Sequence, residues 1–283
     1  MTKKHTHWYL FYKTEILIMP QEDGSYTIPT GTLPPVKLAE EQVTHTLTIS
    51  KNGSTQVKTA TLDRPLAEEL RKKYELCDLR RSYYKLSAEH YQIAGKCREF
   101  LYWDQNTRFC GTCGTPMEMY SEISKRCPHC GKEVWPQVSP AVIVLIHKKG
   151  KDAVGLSRQN GQGNPEEEEV LLVQARNFRT NFFGLVAGFV ETGETLEEAV
   201  HREVMEETGI TITNLRYFGS QPWPYPSGLM VGFHADYVSG DIHLQHSELK
   251  NGNWFTKDQL PTLPEKLSIA RKLIDDWLEN GNS

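Results

Sequence analysis

Glu203, Glu206 and Glu207 stand at i, i+3 and i+4. On a helix that spacing places three carboxylates on one face. Like charges so arranged repel by roughly 0.2–0.5 kcal/mol per pair, so the face is either a solvated acidic surface or a site built for a cation. Hard oxygen donors suit Mg²⁺ or Mn²⁺. Such ions bridge phosphate oxygens, neutralise developing charge and lower the pKa of an attacking water. The positioning element is predicted from its ends. Thr195 is a good N-cap, and Glu198 three residues on completes a capping box. The helix is expected to run to about Thr208, with Gly209 as the C′ residue. Leu196, Val200 and Val204 recur at i+4 and form the stripe expected to be buried.

A second set of residues reads C-x₂-C-x₁₃-C-x₂-C, from Cys110 and Cys113 to Cys127 and Cys130. Two short CxxC turns present four thiolates, which suits a closed, tetrahedral, structural Zn²⁺ site. His129 inside the second turn is expected to be a loop residue. A redox pair is the competing chemistry, but one CxxC in a thioredoxin-like context would be expected for it. A zinc ribbon that binds nucleic acid is a third reading, with Lys125, Arg126 and Lys132 as its modest basic set.

A third stretch, Ser220 to Met230, reads SQPWPYPSGLM, with prolines at 222, 224 and 226. Prolines at this density fix the backbone and do not sit in a central strand. Trp223 and Tyr225 would then stack on a base, a contact of roughly 1–3 kcal/mol in nucleic-acid systems, or plug the core. The residues alone leave both readings open.

The chain has 283 residues, enough for two domains and a small module, and a composition typical of soluble globular proteins. A formal net charge of −4 argues against a protein built mainly to grip a nucleic-acid backbone. No run of about 18 apolar residues is present, so no membrane span is expected. The N-terminal run lacks the apolar stretch of a secretory signal, and the C-terminal NGNS is not a peroxisomal address. The paired cysteines suit a reducing compartment, and the cytoplasm is the expected location.

Three segments are expected: an N-terminal α+β domain at 1–105, a zinc ribbon at 106–136, and an α/β domain at 137–283. In the first, Trp8–Met19 reads as strand and Tyr26–Ile28 as its return. Val43–Ser50 and Thr55–Leu62 read as a hairpin turning at Asn52-Gly53, with His45 on the strand surface. Ala67–Leu76 and Ser87–Asp104 read as helices, with Cys77 and Cys97 in the core. In the third, strands are expected at Ala141–Ile146, Val170–Gln174, Phe182–Ala187, Leu215–Gly219, Met230–Tyr237, Asp241–Leu244 and Gly252–Phe255. Glu265–Asn280 is expected to be a final amphipathic helix with Leu267, Ala270, Leu273, Ile274 and Trp277 inward. Lys148–Glu169 is too polar to bury a core. Its acidic run is expected to be a solvated tip.

Gly188, five residues, Glu194, seven residues, then Arg202-Glu203-Val204-Met205-Glu206-Glu207-Thr208-Gly209-Ile210 fills every position of the Nudix box. The chain therefore resembles the Nudix hydrolases. A zinc ribbon, the box and an SQPWPxPxS-like stretch ten residues after it together resemble the NADH pyrophosphatase subgroup, well from about residue 92 onward and loosely before it. The resemblance implies a C-terminal α/β/α sandwich with a mixed sheet. It also implies hydrolysis of NAD(H) to NMN(H) and AMP, removal of NAD caps from RNA 5′ ends, a homodimer, and Mg²⁺ or Mn²⁺ beside the structural Zn²⁺.

Residue by residue, it implies that Glu203, Glu206 and Glu207 bind the catalytic metal, with Glu207 essential for activating water and Glu248 a further ligand. It implies substrate contacts from Ser220, Gln221, Pro222, Trp223, Pro224, Tyr225, Pro226 and Ser227. Further contacts are implied for Phe189, Glu122, Trp135, Ala270 and Arg81. Arg202 is expected to pair with Glu194 or a helix glutamate and hold the loop–helix–loop in shape. Departures from the subgroup are Trp135 for the usual Tyr, Tyr225 for the usual Phe, Gly228 inside the substrate loop, and the insertion at 151–169. Other readings are a hydrolase for ADP-ribose or dinucleoside polyphosphates, a non-cleaving NAD sensor, and an enzyme whose main substrate is RNA. The sensor would be expected to have lost a box glutamate, and none is missing.

Overall fold

The computed structural model describes residues 6–39, 43–49, 55–149, 168–176 and 181–280. It divides into two compact units, Met1–Val138 with Trp223–Ser227, and Ser139–Pro222 with Gly228–Ser283.

The first unit is built on a seven-stranded sheet. Its strands are β1 (Thr6–Tyr12), β2 (Glu15–Pro20), β3 (Tyr26–Thr27), β4 (Thr30–Gly31), β5 (His45–Ile49), β6 (Thr55–Thr61) and β7 (Glu75–Asp78). β1 pairs parallel with β6 and antiparallel with β2. The continuous apolar run Trp8-Tyr9-Leu10-Phe11 is explained by burial on both faces. Tyr9 and Phe11 join one core with Ile93, Ala94, Cys97, Phe100 and Leu101, while Trp8 and Leu10 join another with Val36, Leu62, Leu66 and Tyr74. A short helix, α1 (Leu79–Ser82), and a long one, α2 (Ala88–Asn106), follow β7, and the Ser87 hydroxyl caps α2 by accepting from the His90 N–H.

Three expectations change here. Trp8–Met19 is not one strand but a hairpin that turns at Lys13, whose φ is 53°. Ala67–Leu76 is not a helix: a single 3₁₀ stretch at Glu68–Lys72 gives way to β7, because Glu75–Asp78 pairs with the free edge of β2. His45 is not a surface residue: it is 7% exposed, with Nε2 3.3 Å from Asp104 Oδ2. Cys77 and Cys97 are buried as expected. The Asn52-Gly53 turn and most of the 151–169 insertion lie outside the described residues.

The ribbon follows as β8 (Glu118–Ser121), β9 (Ser124–Arg126) and β10 (Glu133–Val134), an antiparallel three-stranded sheet. Two of its basic residues, Lys125 and Arg126, are already engaged. Lys125 is buried and its Nζ lies 2.7 Å from Asp104 Oδ1, while Arg126 pairs with Glu133 and covers the Tyr120 ring at 3.5 Å.

The second unit carries β11 (Ser139–Lys148), β12 (Glu169–Ala175), β13 (Val186–Phe189), α3 (Leu196–Thr208), β14 (Thr211–Trp223), β15 (Gly228–Ser239), β16 (Leu249–Phe255) and α4 (Ile269–Asn280). The sheet order is β14-β15-β11-β12-β16, with β13 on β11. β11 and β15 are parallel and β11 and β12 antiparallel, so the sheet is mixed. Alternate residues of β11 face opposite layers. Val142, Val144 and Ile146 pack with Val200 and Val204 of α3, and Ile143 and Leu145 pack with Leu273, Ile274 and Trp277 of α4. This is the expected α/β/α sandwich. Pro222 sits in β14, an edge strand, where a missing N–H is tolerated.

Asp241–Leu244 is not a strand. His243 and Gln245 donate their N–H groups to the carbonyls of Thr208 and Glu207, so the segment satisfies the open carbonyl end of α3 instead of joining the sheet. Glu168 corrects the solvated-tip reading of the acidic run: it accepts from the Trp277 indole at 2.7 Å and bonds His147 at 3.1 Å. Among the described residues no helix is long and apolar enough to cross a membrane.

Candidate active site

The box folds as its end signals require. Thr195 accepts from the Glu198 N–H at 3.1 Å, and Glu198 accepts from the Thr195 N–H at 2.7 Å, closing the capping box. Gly209 ends α3 with φ of 71°, the left-handed region where glycine is favoured.

Arg202 organises the loop ahead of the helix. Its guanidinium donates to both Glu194 carboxylate oxygens at 2.6 and 3.0 Å, to Glu203 at 2.8 Å, to Glu206 at 3.2 Å and to the Phe189 carbonyl at 3.0 Å. Glu194 also accepts from the Glu191 N–H at 2.7 Å. These contacts hold the Glu194 carboxyl down to about 2, the Arg202 hydrogen bonds being the largest cause.

The three helix glutamates share a side of α3 but not an environment. The Glu206 carboxylate is 54% exposed and that of Glu203 13% exposed, while Glu207 is 4% exposed. Burial is the first cause that lifts the Glu207 carboxyl to about 8, followed by the charges of Glu203, Glu248 and Glu206. Burial likewise raises Glu203, against the pull of Arg202. Neither carboxylate oxygen of Glu207 accepts a hydrogen bond from a described residue. Glu248 is exposed, and the backbone carbonyl of the same residue accepts from the Arg176 N–H at 2.8 Å. One guanidinium thus faces three carboxylates, with two more close enough to be felt electrostatically. Hard donors around one side of α3, one of them buried with no hydrogen bond from a described residue, suit a divalent cation.

The cysteine set also fits its metal. The four Sγ atoms lie within 4.8 Å of one another, with 3.6 Å between Cys110 and Cys130 and 3.5 Å between Cys113 and Cys127. Those separations are far too long for a disulfide. They are close to the ~3.8 Å edge of a tetrahedron with Zn–S bonds of about 2.3 Å. Gly114 and Gly131, just past each CxxC turn, have φ of 75° and 76°. His129 is exposed, as expected of a loop residue.

The other expected site residues fall in two groups. In the second unit, Phe189 is 65% exposed, Ala270 is buried on α4, and Gln221 donates to the Leu267 carbonyl at 2.7 Å. Ser220 and Pro222 are exposed. In the first unit, Pro224 is buried, and a Cβ on Gly95 would lie 3.3 Å from its ring. The Tyr225 hydroxyl bonds Tyr91 at 2.8 Å, Ser227 donates to the Gln137 carbonyl at 2.8 Å, and Pro226 is exposed. Trp223 and Tyr225 meet edge to face at 5.0 Å, and the Tyr225–Pro226 peptide is cis. Glu122 binds Thr48 through the hydroxyl at 3.0 Å and the N–H, Trp135 is 53% exposed, and Arg81 is exposed. The residue that reaches the loop aromatics is the neighbour Arg80, whose guanidinium carbon lies 4.2 Å from the Tyr225 ring centre and 5.2 Å from that of Trp223. The sequence offered a pair of adjacent arginines and no means to choose between them.

Family models agree with this geometry. A NUDIX domain matches residues 149–278, an NADH pyrophosphatase-like rudimentary NUDIX domain matches 5–103, and an NADH pyrophosphatase zinc ribbon domain matches 105–134. A protein of Pseudomonas aeruginosa named NAD-capped RNA hydrolase NudC is 41% identical over 191 residues, 67% of this chain and 62% of that protein. One of the same name from Pectobacterium atrosepticum is 43% identical over 187 residues, 66% of this chain and 65% of that protein. The chain thus spans less than two thirds of the length of these two relatives. Another of the same name, from Deinococcus radiodurans, is 39% identical over 215 residues, 76% of this chain and 72% of that protein. With a complete box, a Cys₄ ribbon and these matches together, the chain belongs to the NADH pyrophosphatase subgroup of the Nudix family.

Proposed function

We propose that the chain hydrolyses the pyrophosphate bond of NAD(H), giving NMN(H) and AMP, and removes NAD caps from RNA 5′ ends. The observation that carries this reading is the excess of carboxylate at α3. Arg202 answers three glutamates, and Glu207 is buried and accepts no hydrogen bond from a described residue. A bound cation would relieve the repulsion among these carboxylates.

Glu203, Glu206, Glu207 and Glu248 would hold Mg²⁺ or Mn²⁺, which when bound neutralises phosphate charge and activates water. Glu207 accepts the proton of the water that attacks one phosphorus, and the phosphoanhydride P–O bond breaks as the other phosphate leaves. Arg202 holds Glu203 and Glu206 in place through its fork of donors. Ser220–Ser227, Phe189, Glu122, Trp135, Ala270 and Arg81 contact the substrate, with Trp223, Tyr225 and Phe189 selecting the base. The division into 1–105, 106–136 and 137–283 gives the ribbon a stapling role only. The names of the relatives, NAD-capped RNA hydrolases, support the substrate class. The resemblance supports a homodimer, and four thiolates kept for zinc support a reducing, cytoplasmic setting.

A substrate panel tests the reading. NADH, NAD⁺, ADP-ribose, a dinucleoside polyphosphate and NAD-capped RNA are compared by kcat/KM with each metal. NADH or capped RNA should lead. Preference for ADP-ribose or a dinucleoside polyphosphate would refute the substrate assignment and leave only the box chemistry.

A further inference from the structure

Within the first unit, behind the proline loop, lies a cavity of about 290 Å³ lined by Thr14, Asp78, Arg80, Arg98, Pro224 and Tyr225 among others. Two of the lining residues are arginines. Arg80 rests on the Tyr225 ring, and its side chain makes no hydrogen bond or ion pair with a described residue. Arg98, on α2, is half-buried, and burial lowers its pKa. Its side chain likewise has no hydrogen-bond or ion-pair partner among the described residues. Among the described lining residues one is a carboxylate, Asp78, and its Oδ1 accepts the backbone N–H groups of Arg80 and Arg81 at 3.0 and 3.4 Å. The Tyr225 wall is fixed by its bond to Tyr91.

Arg80 is exposed, whereas Arg98 is a half-buried cation without an anion among the described residues, which is costly, and native proteins pair such a cation or keep it for a ligand. Guanidinium donors match the oxygens of phosphate, two at a time. The volume is at the small end of ligand pockets, roughly 300–1,000 Å³, which suits a compact anion and not a whole dinucleotide. We propose that this cavity is a phosphate-binding site, in which Arg80 and Arg98 together hold one phosphate group. The phosphate is either free or a phosphodiester of a nucleotide strand. The site is argued from the first unit alone and stands whether or not the α3 carboxylates hydrolyse pyrophosphate.

The test is equilibrium binding to the full-length, zinc-loaded protein in buffer free of Mg²⁺ and Mn²⁺. Inorganic phosphate is titrated by calorimetry, and a short 5′-hydroxyl RNA, whose only phosphates are diesters, by anisotropy. Arg80→Gln and Arg98→Gln should each weaken binding by roughly tenfold or more, the loss of one charge-assisted contact. The RNA salt slope should fall by about 0.7 in each variant. Arg98→Lys should recover part of the affinity. Phosphate that binds and displaces RNA identifies a free-anion site, whereas RNA binding that phosphate does not contest identifies a strand site. No binding of either probe, or binding unchanged in Arg80→Gln, overturns the proposal. Arg80 is exposed, so that variant is decisive even if Arg98→Gln fails to fold.

Discussion

The carboxylate of Glu203 occupies the place where a side chain on Gly188 would begin: a Cβ there would stand 1.9 Å from Glu203 Oε1 and 2.0 Å from its carboxyl carbon. Gly188 lies in β13, opposite Val142 of β11. The first glycine of the box therefore serves the glutamate fifteen positions later, by leaving room for it against the strand. Gly188→Ala should displace Glu203 and cost about 1–3 kcal/mol of stability, as overpacking does. Metal-dependent activity should fall by more than the stability loss explains. The checks are a urea midpoint and the Mg²⁺ or Mn²⁺ dependence of the rate. Wild-type values in both would show that Glu203 need not sit where it does.

Arg202 is the tie between loop and helix. Arg202→Lys keeps the charge but cannot span Glu194, Glu203, Glu206 and the Phe189 carbonyl at once. We expect a loss of about 1–3 kcal/mol, the range for hydrogen bonds to charged groups, and a kcat at least tenfold lower. Thermal melts and steady-state kinetics check this. A lysine variant matching wild type would mean that charge, not the fork, is what the loop requires.

Much of this was legible beforehand because the box states its own local structure. Thr195, Glu198 and Gly209 fix the ends of α3, and Val200 and Val204 fix its buried side. The depth of Glu207 was not legible, because i+3 and i+4 spacing gives a shared face but not how far the helix leans into the core. The Ala67–Leu76 segment misled because its local pattern is helical while the free edge of β2 claims Glu75–Asp78. Asp241–Leu244 misled in the opposite sense: its donors go to the end of a helix. His45 looked like a surface residue, and Lys125 like one of a basic set, because their shared partner, Asp104, is distant in sequence.

Glu168, His147 and His234 form a chain across the second unit. His147 Nδ1 is 3.1 Å from Glu168 and its Nε2 is 2.8 Å from His234 Nδ1. The tautomers that satisfy this chain have His147 donating to the carboxylate and His234 donating to His147. His234 Nε2 then carries no proton and is buried without a hydrogen-bond partner among the described residues, 3.6 Å from Asp276. Burial, then the His147 and Arg216 charges, lower the His234 pKa to about 4, against the opposing pull of Asp276 and Glu168. Between about 4 and 6.5 the unfolded chain therefore binds the proton more readily than the folded one. Its contribution to stability is complete above 6.5 and is lost as pH falls towards 4. As pH falls across that window, urea midpoints should drop further, or rise less, in wild type than in His234→Asn, because the raised carboxyls Glu99 and Glu207 act in the opposite sense in both proteins. Equal slopes in the two proteins would remove His234 from the account.

Zinc at Cys110, Cys113, Cys127 and Cys130 is expected to stabilise without taking part in chemistry. A strong chelator should lower the melting temperature, and readdition of Zn²⁺ should restore it. In chelator-treated protein that is still folded, and resupplied with Mg²⁺ or Mn²⁺ in excess, turnover should persist. Turnover lost while the fold is intact would give the ribbon a direct part in the reaction.

The central claim is that Glu207 activates water for cleavage of a dinucleotide pyrophosphate. The most direct measurement is product analysis of NADH in ¹⁸O-labelled water with Mg²⁺ or Mn²⁺, for wild type and Glu207→Gln. Wild type should give AMP and NMNH, with the label in only one of the two phosphates. The variant should stay folded and be slower by roughly 10²–10⁴-fold, the usual worth of a general base. Wild-type turnover in Glu207→Gln, or intact NADH while ADP-ribose is consumed, would contradict the account.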